Sequence, residues 1–327
     1  MTHVTVVGAG VMGCAAAWAL TERGADVTVV EQFELEHTHG SSHGRTRIVR
    51  VAYPDAAWVR LAREAMQGWR ELEAESRREL LGLHGLVEVI SSPELTSAEA
   101  LDACGEPYRF LDAAEARARG VALPDGWTAL EQPEAGVVRA DLARRAFLDL
   151  AVARGARVET GRRVESTDAA AADVVVVTAG AWVTQLVPDV PVRVTRETIA
   201  YFRREGVPTP SVVELDAATR AHAMYALHDP VHGLKAGAHH AGAVADPGED
   251  GAPDPALVER IAAWVAERLP DADPEPVGAE SCLYTSTADE SFVLERRGRV
   301  VVGSACSGHG FKFAPAVGRR LAALALD

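Results

Sequence analysis

Cysteine is scarce in this chain, and the four present, Cys14, Cys104, Cys282 and Cys306, make no close pair and no C-x-x-C. That spacing excludes a disulfide framework or a zinc knuckle and predicts a reducing compartment. Also missing is any uninterrupted run of about 18 apolar residues, the length a spanning helix needs. The N-terminus enters "MTHVTVVGAGVMG" directly, with neither the basic nor the apolar stretch of a leader, so the expectation is a cytoplasmic protein that is neither exported nor membrane-bound. Basic charge is short as well. A formal net charge of -14 repels phosphates on average and argues against nucleic-acid or anionic-membrane partners, leaving room only for a local basic pocket. What is plentiful is apolar residue, 48% over 327 positions, enough for two modest domains with packed cores.

The first strong signal is an ordered set. "HVTVV" (His3 to Val7) is a short β-branched run of the kind buried in a parallel sheet, and it leads into Gly8-Ala9-Gly10-Val11-Met12-Gly13. "CAAAWALTERGA" then reads as a helix closed near Gly24, and "DVTVVEQ" as a second strand ending at Glu31. In such a unit Gly8 permits a tight turn, Gly10 lets backbone approach a pyrophosphate, and Gly13 lets helix and strand pack closely. The helix N-terminus adds the positive end of its dipole. Glu31 follows Gly13 by 18 positions, where a carboxylate can accept the ribose hydroxyls of an adenosine. This set predicts a dinucleotide site without separating NAD from FAD.

A nicotinamide enzyme usually completes its nucleotide fold in one continuous block. Here a long loop, "QFELEHTHGSSHGRTRIVRVAYPDAA", is followed by a helix from about Asp55 to Leu81, and sheet-like segments return only later at "GLVEVIS", "GARVETG", "DVVVVTAGAW" and "GRVVVGSACSG". The "VVVVTAG" stretch predicts a second close approach of backbone to cofactor, at Gly180. Three long motifs are the most specific feature: "GSSHGRTRIVR" (Gly40 to Arg50), "CLYTSTADESF" (Cys282 to Phe292) and "SGHGFKFAPAVG" (Ser307 to Gly318). With the N-terminal loop they make nearly the whole chain resemble the monomeric sarcosine oxidase family of FAD-dependent amine oxidases, within the D-amino-acid oxidase fold group.

The resemblance implies roles residue by residue. Cys282 matches the cysteine that carries the flavin covalently through its 8α-methyl carbon. A nucleophilic thiol needs polar or cationic company, which Ser281, Thr285, Ser286 and Thr287 are placed in sequence to supply. Cys14 and Cys104 read as small buried hydrophobes, the commoner use of free cysteine, and Cys306 has no matching role. Arg50 and Lys312 match the pair that holds the substrate carboxylate, which suits arginine's planar two-point recognition. Lys235 matches the lysine near flavin N5 that promotes reaction with oxygen. His43 and Arg47 would set the charge of the flavin loop, and His239 matches a further active-site histidine; both histidines are expected to titrate near neutrality. Tyr225 matches a substrate contact, and Ser41, Ser42, Thr46, Tyr284, Gly308, Gly310 and Phe311 match cofactor contacts. Pro315 opens a last helix whose positive end would favour the anionic reduced flavin.

Some positions depart from the family pattern. Arg45 stands where an acidic residue is common, and Tyr225 lies ten residues before Lys235, one fewer than in the family. The segment "RVESTDAAAADVVVV" is short, and the chain ends soon after its last helix. Metal binding by His37, His39 and His43, or by His228, His232, His239 and His240, lacks a completing carboxylate, and Pro230 argues against a helical pair, so no metal is expected.

The expected fold is α/β, an FAD-binding Rossmann-like domain (1–83, 137–190 and 285–327) interleaved with a substrate domain on a mixed, largely antiparallel sheet (84–136 and 191–284). The expected activity is oxidation of a secondary amine or N-substituted amino acid to an imine, with oxygen reduced to hydrogen peroxide, by a monomer whose partners are an amino-carboxylate and oxygen. The alternatives are an FAD-dependent amine or imino-acid dehydrogenase with another acceptor, and a pipecolate- or fructosyl-amino-acid-type oxidase. A non-catalytic flavoprotein and an NAD(P) oxidoreductase are further rivals.

Overall fold

The computed structural model describes residues 1–217 and 223–327. It opens with β1 (His3–Val7), α1 (Val11–Glu22) and β2 (Asp26–Val30), then β3 (Thr46–Val49), α2 (Ala56–Ser76), β4 (Leu81–Gly82) and β5 (Leu86–Ile90). Next come α3 (Ala98–Cys104), β6 (Arg109–Leu111), α4 (Ala113–Ala118), β7 (Thr128–Gln132) and β8 (Gly136–Arg139). The middle supplies α5 (Ala140–Ala153), β9 (Arg157–Glu159), β10 (Val174–Val177) and α6 (Val183–Leu186). There follow β11 (Arg193–Arg203), β12 (Ser211–Leu215), β13 (Met224–Asp229), β14 (Gly233–Ala238) and β15 (Ala243–Val244). The chain closes with α7 (Pro255–Arg268), β16 (Pro276–Ser286), β17 (Val293–Arg297), β18 (Val300–Ser304) and α8 (Ala314–Leu326).

A six-stranded sheet runs β17-β18-β10-β1-β2-β9, parallel except at β17. Its central strands are valine-rich because both faces are covered. Val4, Val6, Val174 and Val176 pack under α1, α2, α5 and α8, while Val7, Val175 and Val177 turn to the other face against Val183 and Val187. The helix α1 is buried nearly all round, so its small residues are a packing requirement: a Cβ on Gly318 of α8 would lie 2.5 Å from the Ala15 carbonyl oxygen. Gly8 has φ +101°, and a Cβ on Gly13 would sit 1.8 Å from the Gly8 oxygen, so the turn and the tight helix–strand contact each exclude a side chain.

The second sheet has nine strands in the order β15-β11-β14-β13-β12-β5-β7-β6, with β16 on the free side of β11. It is antiparallel apart from the β12–β5 pair. Ile261, Trp264 and Val265 of α7 close its outer core with Phe202, Leu234 and Ala236. A small antiparallel sheet, β3-β8-β4, lies alongside. The helix expected to reach Leu81 stops at Ser76. Arg77 takes a left-handed conformation (φ 54°), and Glu73 accepts hydrogen bonds from the Leu80 and Leu81 amides, which frees Leu81 and Gly82 to pair with β8. Among the described residues no helix is long and apolar enough to cross a membrane.

Candidate active site

A single cavity of about 520 Å³ is lined by residues from all three sheets. Every site residue named from sequence borders it except Gly13, which packs behind the first loop. At one end stand Gly8, Gly10, Glu31, Ser42 and Gly180. Ser42 Oγ accepts the Val11 amide (3.0 Å) at the start of α1, bringing a hydroxyl to the electropositive helix end. Glu31 is buried, and its two oxygens accept the Ala9 amide (2.7 Å) and the Phe33 amide (3.0 Å), which fixes the carboxylate at the tip of β2. Each carboxylate oxygen keeps a further lone pair for a ribose hydroxyl.

In the middle, the loop before β3 folds on itself around Arg47. Its guanidinium donates to the carbonyls of Thr46 (2.9 Å), Ser41 (2.9 Å) and His43 (2.6 Å) and lies 5.6 Å from the Phe311 ring centroid. Ser41 Oγ donates to the Leu283 carbonyl, joining the loop to β16 next to Cys282. Lys235, on β14, is only 3% exposed and donates to the Thr46 carbonyl (3.3 Å). Burial first, and then the Arg47 charge, push its pKa down to about 7. His43 Nε2 and Thr46 Oγ1 are buried without a hydrogen-bond partner, as polar atoms waiting on a bound group are.

Farther along, two cations converge on Tyr53. Arg50 lies 4.4 Å and Lys312 5.7 Å from its ring centroid. Arg50 is held at 2.9 Å by Glu88, a fully buried carboxylate that also accepts from Ser97 (3.0 Å). Lys312 donates to the His309 carbonyl (2.7 Å), and burial followed by the Arg50 charge holds its pKa well below the usual lysine value. Tyr225 and Tyr284 hydrogen-bond beside His239 and complete this wall.

A family profile described as FAD dependent oxidoreductase (DAO) matches residues 3–324. The chain belongs to that family. It is 33% identical to the peroxisomal sarcosine oxidase of Homo sapiens over 98% of this chain and 91% of that protein. It is 31% identical to the monomeric sarcosine oxidase of Bacillus sp. (strain B-0618), over 99% of this chain and 93% of that protein. Among solved structures, the open form of NikD, an unusual amino acid oxidase essential for nikkomycin biosynthesis, superposes with a TM-score of 0.86 at 26% identity, covering 100% of this chain and 95% of that one. The α/β fold expected from sequence is that of these flavoenzymes.

The residues of this DAO-family oxidoreductase fit FAD. A Gly8–Gly10 loop opens at a helix N-terminus, an anchored carboxylate ends β2, orphaned polar atoms lie at the loop before β3, and one cavity connects them.

Several local expectations are corrected by the structure. His43 and His239 do not titrate near neutrality: burial and then Arg47 push His43 down to about 4, and burial with the adjacent His240 holds His239 well below 6.5. The hydroxyls near Cys282 do not serve its thiol. Ser281 donates to Gly251 and Thr287 to Asp289 and Ser291, while Arg47 and Lys235 are the groups that oppose the burial-driven rise of the Cys282 pKa. Gly308 and Gly310 keep their place on the cavity wall and are constrained by packing as well: a Cβ on Gly310 would lie 1.7 Å from the Ala305 oxygen, and one on Gly308 would meet the Tyr284 and His239 rings. The missing carboxylate near His239 and His240 exists: the fold brings in Glu290.

Sequence reasoning overlooked Glu88, Tyr53 and His309. Glu88 had a signal, a lone carboxylate inside the otherwise apolar buried strand "LVEVI". His309 bridges Tyr53 (3.2 Å) and the Glu290 carbonyl (2.9 Å), and no local pattern announces such a link.

Proposed function

We propose that this FAD-dependent oxidoreductase oxidises a secondary amine or N-substituted amino acid of the sarcosine type, with oxygen as acceptor, giving an imine that hydrolyses after release and hydrogen peroxide. The observation that carries the reading is the buried pair Arg50 and Lys312 around Tyr53. Two like charges in one low-dielectric wall disfavour each other, and a substrate carboxylate between them relieves both. Glu88 holds the Arg50 guanidinium in place while neutralising part of its charge, so Lys312 is the cation most in need of an anion. Bound FAD supplies the two-electron oxidation of the C–N bond and the transfer of electrons to oxygen.

The chain's own residues supply the rest. Arg47 and Lys235 place positive charge at the middle of the cavity, where developing negative charge needs it. His43 and His239, kept unprotonated by burial, add no further cation and leave the amine able to shed its proton. Cys282 is the proposed flavin tether, with Arg47 and Lys235 as the charges that favour its thiolate. The six-stranded-sheet unit (1–83, 137–190 and 285–327) is the proposed FAD-binding domain, and 84–136 with 191–284 the substrate domain. A cytoplasmic monomer is part of the proposal, supported by four free thiols and by the name monomeric sarcosine oxidase carried by the Bacillus relative.

The test is acid precipitation of the purified yellow protein followed by an amine screen. Flavin that stays with the pellet, and is released from Cys282→Ser, supports the tether. Anaerobic bleaching by sarcosine or a larger N-methyl amino acid, with peroxide on readmission of air, supports the oxidase. Bleaching without peroxide would replace it by a dehydrogenase, and no bleaching by any N-substituted amino acid would overturn the substrate class.

A further inference from the structure

Next to the substrate wall lies a trio of which only one member has a task so far. His239 and His240 follow the end of β14, and Glu290 sits in the turn between β16 and β17. Their donor atoms all lie within 4.8 Å of one another. His239 Nε2 is 4.0 Å from one Glu290 oxygen and His240 Nε2 is 3.4 Å from the other.

Consecutive residues on a strand point to opposite faces. Here φ of +55° at His240 turns the chain out of the strand, and the two rings meet with centroids 4.1 Å apart. Glu290 is also in the left-handed region, at φ +59°. Among the described residues only four non-glycine positions have positive φ, and this trio holds two of them. Such backbone persists where its surroundings over-determine it, often at ligand sites. His240 Nε2 is buried and faces the Glu290 carboxylate.

We propose that His239, His240 and Glu290 form a three-ligand site for a divalent transition ion of the zinc class at the rim of the active-site cavity, and that its occupancy inhibits the enzyme by withdrawing His239. Two imidazoles and a carboxylate are a donor set zinc takes when it keeps a position open, whereas calcium and magnesium favour oxygen alone. The outer contacts suit the same role. The Tyr284 hydroxyl lies 3.4 Å from His239 Nδ1, leaving Nε2 to face the carboxylate, and His309 donates to the Glu290 carbonyl. The inhibition rests on the oxidase reading above; the binding does not.

The experiment is equilibrium dialysis of the flavin-loaded protein against zinc chloride, with metal analysis, for wild type, His240→Ala and Glu290→Gln. Wild type should retain roughly one tightly held zinc ion per chain, with affinity lowered by about tenfold or more in each variant. Both variants should keep the flavin spectrum and melting temperature of wild type, and amine turnover of His240→Ala should resist zinc concentrations that inhibit wild type. Equal zinc affinity in all three proteins, or none in wild type, would overturn the site. Zinc bound as expected in a protein that oxidises no amine would uphold the site and remove only the reading on which the inhibition depends.

Discussion

At the scale of single residues, Lys235 is a buried and closely constrained charge. Its ammonium has one hydrogen bond, to a backbone carbonyl, and a neighbouring guanidinium, and its pKa falls from 10.5 to about 7. The unfolded chain therefore binds one more proton than the folded chain across that window. Stability contributed by this position is present above pH 10.5 and is lost as pH falls towards 7. Replacing it with the uncharged Lys235→Met should raise the stability of flavin-free protein at pH 7 by about 2–4 kcal/mol and flatten the pH dependence between those limits, as followed by denaturant unfolding. The same change should slow reoxidation by oxygen by about a hundredfold while touching reduction by amine much less, as separated by stopped-flow absorbance. Equal slowing of both half-reactions would assign Lys235 to the amine instead.

Between elements, a strap joins the loop before β3 to the hairpin of β13 and β14. Arg45 meets the buried Asp229 through two hydrogen bonds, at 2.8 and 3.2 Å, and lies 4.8 Å from the Tyr201 ring centroid. Asp229 also accepts the Val231 and His232 amides that shape the hairpin turn. Burial works against its carboxylate, yet the Arg45 contact and these amides hold its pKa below the usual range. The same hairpin carries Lys235, so the pair fixes the loop before β3 against the strand that supplies this buried lysine. Arg45→Ala leaves Asp229 buried with only its amide partners and should cost about 2–3 kcal/mol in unfolding free energy. It should also weaken binding of added FAD; unchanged affinity would show that the loop is held by Ser41 and Arg47 alone.

Arg45 also marks where the sequence stops being informative. The arginine is visible in "GSSHGRTR" as a change of charge, but its partner lies 184 positions away on another sheet, so its pairing emerges only when the strands assemble. The Gly8-to-Glu31 unit was readable because every group in it lies within one strand–helix–strand crossover. Glu88 under Arg50 and Glu290 beside His239 belong with Arg45: each is a long-range meeting whose local sequence encodes only a strand or a turn. The histidine titrations were misjudged for the same reason, since burial depends on what the rest of the chain places over a ring.

On the scale of the whole molecule, the cavity is where the separate pieces of chain are joined. Glu31 and Gly180 come from the six-stranded-sheet side, Tyr225, Lys235 and Cys282 from the nine-stranded sheet, and Arg47 from the small one. A dinucleotide filling this cavity would touch all three, and its binding energy would then act on the entire fold. For Cys282→Ser protein stripped of flavin and titrated with FAD, stabilisation should follow the logarithm of free FAD, reaching about 2.7 kcal/mol at roughly a hundred times Kd. Hydrogen exchange distinguishes this from a local effect. Protection on adding FAD should rise in β10 and in β14, which share no sheet, as well as in the β1–α1–β2 unit. If protection stayed confined to β1, α1 and β2, the nine-stranded sheet would be stable without its ligand, and the strap from Arg45 to Asp229 would order the flavin loop independently of FAD.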